Sequence, residues 1–174
     1  MIYINREEFF TNLIEIYQEE LQYNKSLSVD IFTSSVYLDI SKGVDWSEMY
    51  DKSATRKFID RILDDNISHR IICSLPYKFI CHPGCQNCID EYNGKLDRLY
   101  DTKKLLNLNM KFTPNVLMNY YRVGQEQFIG SSTLTSSELM TTMSSISDTT
   151  NRMNKLFDFL WSNSSRDLGD YYIV

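Results

Sequence analysis

Apolar positions near the start of the chain recur at helical spacing. Phe10, Leu13, Ile14, Tyr17 and Leu21 share one side of a helix, with Glu15, Gln18, Glu19 and Gln22 on the other. Asn5 followed by Glu8 forms a variant capping box, so the spacing predicts a helix from about Arg6 to Tyr23. The pattern then changes. Leu27, Val29 and Ile31 alternate with polar residues, as do Val36, Leu38 and Ile40. Period two with β-branched residues predicts strands, broken at Ser34-Ser35, and hence a possible small hairpin. A helix also fits, because Val36, Tyr37 and Ile40 share a helical face. Asp45–Tyr50 reads as a short helix or turn. Phe58, Ile59, Ile62 and Leu63 then make one stripe of a helix from Ser53 to about Asn66, with Ser53 as its cap.

Helical spacing returns after residue 85. Cys88, Tyr92, Leu96, Leu99, Lys103 and Leu106 predict a helix from about Gln86 to Asn107, with Gly94 inside it. Thr113-Pro114 is a cap with proline first, so a short helix is expected to about Arg122. Residues 124–135 contain Gly124 and Gly130-Ser-Ser-Thr and read as a linker. Thr135-Ser-Ser-Glu138 is a capping box, and Leu139, Met143, Ile146, Thr150, Met153, Phe157 and Leu160 follow at heptad spacing. A helix over 136–162 is expected there. Its Ser/Thr-rich flanks give little intrinsic helicity, so it needs a surface to pack on. That surface is expected on another chain, which makes Leu139, Met143, Ile146, Met153, Phe157 and Leu160 candidate interface residues; folding back onto the same core is the alternative. A loose tail is expected over 163–174, with its last four residues as a candidate docking segment.

These patterns predict a mainly α fold. A helical domain over 1–123 would have a core of Phe10, Leu13, Tyr17, Phe58, Ile62, Tyr92, Leu96 and Leu99. Composition changes little: 174 residues, 43% hydrophobic and 24% charged, suit an ordinary globular domain. The formal charge of -5 argues against a phosphate backbone as main partner, because nucleic-acid binding rests on clustered Lys and Arg. No apolar run has the length of a membrane span, and the start lacks the pattern of a signal peptide. A cytoplasmic or virion location is expected.

The candidate chemistry lies in one stretch. All four cysteines fall between Cys73 and Cys88 in the pattern C-x7-C-x3-C-x2-C, with His82 beside the second. Pro83 and Gly84 turn the chain between two of them. In a reducing compartment such a cluster points to metal before disulfide. Cys73, Cys81, Cys85 and Cys88 are therefore candidate ligands of a metal knuckle spanning 73–88. Three readings stay open, in this order: a [4Fe-4S] cluster on four thiolates, structural zinc on four thiolates or three plus His82, and free buried thiols. No catalytic residue is identified. His69 and His82 sit in no nucleophile–base arrangement.

Cys81-x3-Cys85-x2-Cys88 resembles the signature of radical S-adenosylmethionine enzymes, though Asn87 stands where these usually carry an aromatic residue. This resemblance implies an iron-sulfur redox or radical enzyme as the alternative function. In size, composition and clustered cysteines the chain also resembles the small hub proteins of contractile-tailed phage baseplates. That resemblance implies a non-enzymatic structural subunit of a multi-protein assembly, partnered by other subunits and stapled by an iron-sulfur site at the four cysteines.

Overall fold

The computed structural model describes residues 2–24, 26–37, 53–114, 118–135, 140–147 and 151–174. The first helix, α1 (Arg6–Tyr23), forms where its spacing predicts it, after the short strand β1 (Ile2–Asn5). The Asn5 side chain accepts hydrogen bonds from the Glu7 and Glu8 N–H groups at 2.8 and 3.3 Å, satisfying donors that the helix leaves unpaired. The next helix, α2 (Ala54–Asp64), is capped by Ser53, whose hydroxyl accepts from the Arg56 N–H. A third, α3 (Gln86–Leu105), follows the cysteines.

α2 and α3 end in the same way. Asn66 and Asn107 take left-handed φ of 51° just past the helix, a conformation asparagine tolerates. The Ile67 N–H then reaches back to the Ile62 carbonyl and the Leu108 N–H to the Lys103 carbonyl. Each reversal feeds a strand: β4 (Ser68–Ser74) after α2, β5 (Met110–Thr113) after α3. With β2 (Ser28–Thr33) these strands form a parallel group, Ile31 opposite Ile71 and Ile71 opposite Met110. The helices are thus crossovers between parallel strands.

The mainly α expectation is therefore corrected. One mixed seven-stranded sheet of the described residues runs β1, β9 (Met140–Ile146), β7 (Glu126–Gly130), β6 (Asn119–Val123), β2, β4, β5. β2 pairs with β4 and with β6 (Asn119–Val123), so no hairpin forms among the described residues from Leu27 to Tyr37. β3 (Val36–Tyr37) pairs instead with β8 (Leu134–Thr135) in a separate two-stranded sheet. Leu38 to Tyr50 lie outside the described residues. Where a short helix was expected before Arg122, Asn119–Val123 is strand β6. The stretch read as a linker holds β8 and also β7 (Glu126–Gly130), which pairs with β6 across Gly124-Gln125. Gly124 has φ +59°, as a glycine-first two-residue hairpin loop requires. The expected helix over 136–162 is also corrected. Met140–Ile146 is strand β9, held between β1 and β7, and of the described residues there only Arg152–Asn163 are helical, as α4. Ser and Thr are weak helix formers, and two neighbouring strands supply ladder partners that outweigh the heptad spacing. Leu139 and the capping box through Glu138 fall largely outside the described residues.

Alternation along the strands divides the core over two faces. On one, Val29, Ile31, Ile71, Tyr121, Val123, Phe128 and Met143 pack with α1, α2 and α3, and all eight core residues predicted from sequence are buried. Phe9, Phe10, Tyr121 and Phe128 meet there edge to face, with centroids 5.2–5.6 Å apart. On the other face, Phe32, Ile72 and Tyr120 are covered by Phe157 and Leu160 of α4. The tail docks back on α3, where Asn93 bonds both the N–H and the carbonyl of Ile173.

The second face also buries a charge. Asp30 on β2 is 1% exposed, and its carboxylate accepts from Arg70 Nε and Nη2, both at 2.8 Å, and from Arg122. Replacing one member of a buried ion group strands the others, at about 3–5 kcal/mol. Asp30→Ala is expected to lose about that much stability in urea unfolding. A loss below about 1 kcal/mol would mean that the two guanidinium groups do not depend on this carboxylate.

Candidate metal centre

β4 leaves the sheet at Ser74, and the chain must reach the start of α3 at Gln86. Pro83-Gly84 makes the last turn of that path, with Gly84 at φ +76° and the Cys85 N–H bonded to the His82 carbonyl at 3.1 Å. A Cβ at Gly84 would meet nothing within 4 Å, so glycine is needed for its dihedral and not for space. The turn brings Cys81 back over the first turn of α3, where Cys85 and Cys88 stand three residues apart on one side. The Cys85 and Cys88 sulfurs lie 3.2 Å apart, and those of Cys88 and Cys81 3.5 Å. All three Sγ atoms fall within 4.8 Å of one another, and this group could hold a metal ion.

The electrostatics of the three thiols suit a shared charge. The neighbouring Cys88 thiol, then the helix N–H groups of Cys88 and Asn87, hold the Cys85 thiol below its usual range. The Cys85 side chain makes no full capping hydrogen bond, so the N–H groups act as oriented dipoles at the helix start. Cys81 is pushed the other way, to about 11, by its hydrogen bonds with Cys85 and Cys88. A bound cation would reverse that, since coordination removes the thiol proton.

Cys73 does not join them, which corrects the four-ligand expectation. It sits on β4 with its side chain in the main core, 0% exposed, and its thiol donates to the Ser74 carbonyl at 3.3 Å. Burial pushes its pKa up to about 12. The alternation of β4 places Cys73 on the same face as Ile71, among apolar neighbours. His82 also lies outside the three-thiol group; its Nδ1 is 3.2 Å from the Pro83 carbonyl oxygen. His69 is structural: its Nε2 accepts from the Asn109 N–H while Nδ1 faces the Ile67 carbonyl, joining β4 to the start of β5.

Of the candidate interface residues, Leu139 lies outside the described residues and the others pack within the chain. Met143 is buried in the main core, and Phe157 and Leu160 close the second face of the chain's own sheet, with Ile146 and Met153 packed against them. These side chains divide between the cores on the two faces of the sheet, because strand β9 and helix α4 replace the single helix. Sequence reasoning missed the Asp30–Arg70–Arg122 group. Its signal was a charge at an alternate position in each of three apolar runs.

No family model matches this chain, and no curated protein matches it. Among solved structures it is similar to a polyphosphate kinase from Porphyromonas gingivalis, at 18% identity and a TM-score of 0.50 over 91% of this chain and 21% of that one. It is also similar to an archaeal chromatin protein whose structure shows a novel mode of DNA binding, at 12% identity and a TM-score of 0.45 over 96% of this chain and 53% of that one. The chain thus spans about half of one neighbour and a fifth of the other. The likeness to the kinase is one of fold alone. At a TM-score of 0.45 the second likeness names no partner, and the net charge of the whole chain does not by itself exclude nucleic acid. No helix among the described residues is long and apolar enough to cross a membrane.

Thiol chemistry separates the two kinds of cysteine. With Ellman's reagent, the folded metal-free protein is expected to react at three thiols quickly and at the fourth only on unfolding. Four equally fast thiols would contradict the placement of Cys73 in the core.

Proposed function

We propose that Cys81, Cys85 and Cys88 hold a single structural zinc ion, and that the chain is a non-enzymatic subunit of a larger assembly, stapled by that ion. The separation of the sulfurs carries the reading. Ligands of one tetrahedral zinc at about 2.3 Å from the metal lie about 3.8 Å apart. The separations of 3.2 and 3.5 Å, with every pair inside 4.8 Å, are of that size. In an iron-sulfur cube each thiolate binds a different iron, so the sulfurs sit on separate corners and lie further apart. The same separations disfavour the redox or radical enzyme, which needs a cluster.

The ion would tie Cys81, before the Pro83-Gly84 turn, to the first turn of α3. It would thus fix how the long connection from β4 enters the helix, in a place with little apolar burial of its own. Three thiolates leave one coordination position for water or a donor from another molecule. Tyr77 and Phe79, in the same connection, are 84% and 64% exposed. Aromatic residues of this kind are enriched where proteins meet, and they support the assembly role. The resemblance to baseplate hubs carries no part of this proposal.

Metal analysis of protein expressed with zinc is expected to give one ion per chain. Cys81→Ser, Cys85→Ser and Cys88→Ser should each lose it, while Cys73→Ala keeps it. A visible iron-sulfur absorption from anaerobically purified protein would overturn the single-ion reading. An unchanged unfolding midpoint after chelation would overturn the staple.

A further inference from the structure

The carboxyl ends of β2 and β4 open into a cleft that the metal centre does not use. Its volume is about 410 Å³. One wall comes from Ser34 and Ser35, just past β2, and from Ser74 at the end of β4. The facing wall is α3, which presents Lys95, Arg98 and Leu99 on one side, at positions three and four residues apart. Val36 and Pro76 complete it with apolar surface. Ligands of α/β sheets bind outside the carboxyl ends of the strands, where loops diverge and helices flank the opening.

The chemistry of the walls is uneven, and this selects a ligand class. On a chain of net charge -5, two cations face the hydroxyl-bearing Ser34 and Ser35. Lys95 pairs with Glu91 at 2.7 Å, an exposed contact that a dianion can outcompete. Arginine offers a planar fork that suits phosphate oxygens, and serine hydroxyls donate to the same oxygens. The main-chain N–H groups of Ser34 and Ser35 are engaged with the Asn119 and Thr33 side chains, so this wall is held in place independently of any ligand. The volume exceeds what a bare phosphate fills and lies in the range of small-molecule sites, about 300–1,000 Å³.

We propose that this cleft binds a small phosphomonoester. Arg98, Lys95 and the Ser34 and Ser35 hydroxyls hold its phosphate, and Val36, Pro76 and Leu99 take its organic body.

The test is calorimetric titration of the intact protein with ribose 5-phosphate, ribose and a short oligonucleotide carrying 5′- and 3′-hydroxyl ends. Saturable binding of ribose 5-phosphate and none of ribose is expected. Arg98→Gln and Lys95→Gln should each weaken it about tenfold or more, the scale of losing a charge-assisted hydrogen bond. Lys104→Gln, a charge change on an exposed position of the same helix, should leave it within about twofold. Absence of binding at millimolar ribose 5-phosphate overturns the proposal. So does an equal loss in Lys104→Gln, which would make the effect one of general charge. Equally tight, Arg98-dependent binding of the oligonucleotide also overturns it, because internal phosphodiesters would then suffice.

Discussion

A single buried carboxylate organises the centre of the sheet. Asp30 stands directly opposite Arg70 on β4 and Arg122 on β6, the two strands that flank β2. An ionised group out of water needs partners, and here both come from register. A slip of one residue in either neighbour would carry its arginine to the opposite face and leave the carboxylate unmatched, on top of inverting the apolar alternation. The ion group therefore specifies the pairing of the three central strands more sharply than their apolar residues could.

The same group places α4 on that face. Arg70 reaches past Asp30 to Asp158 of α4 at 2.8 Å, and its guanidinium lies 4.9 Å from the Phe157 ring centroid. Lys111 of β5 donates to the Trp161 carbonyl and lies 4.6 Å from the Trp161 ring. Cation–π contacts of this kind add roughly 0.5–2 kcal/mol each, depending on exposure. They let α4 sit on a face that carries charges among its apolar residues. Beneath the other face, α3 links two features. Its first turn carries Cys85 and Cys88, and Lys95 and Arg98 lie further along the same rigid element. A metal at the thiols would set where the helix begins, and so where its cations stand over the cleft.

Much of the helical layer was legible in the chain. Local signals specify α1, α2 and α3: an oxygen-bearing cap at Asn5 or Ser53, a 3.6-residue apolar period, and asparagine where the helix reverses. The C-x3-C-x2-C spacing was legible for the same reason, since a proline–glycine turn and one helical turn are enough to bring Cys81, Cys85 and Cys88 together. Cys73 was not separable from them by spacing. What removes it is the pleat of β4, which turns its side chain into the core.

The strands were harder, because their stabilising partners are remote in sequence. Met140–Ile146 has a heptad-compatible pattern and an indifferent composition; β7 on one side and β1, from the far end of the chain, on the other make it a strand. Gly130 lies so close to the Thr142 carbonyl that a Cβ would stand 1.9 Å from it, a demand no local pattern announces. The cleft likewise joins residues 34–36, 74–76 and 95–99, which only the parallel pairing of β2 with β4 and the return of α3 across them bring to one place. Sequence by itself determined the caps, the helical faces and the thiol knuckle, whose interactions close within a few residues. The sheet order, the fate of Cys73 and the composition of the cleft were decided by tertiary structure, because hydrogen-bond ladders and buried charges choose partners from the whole chain.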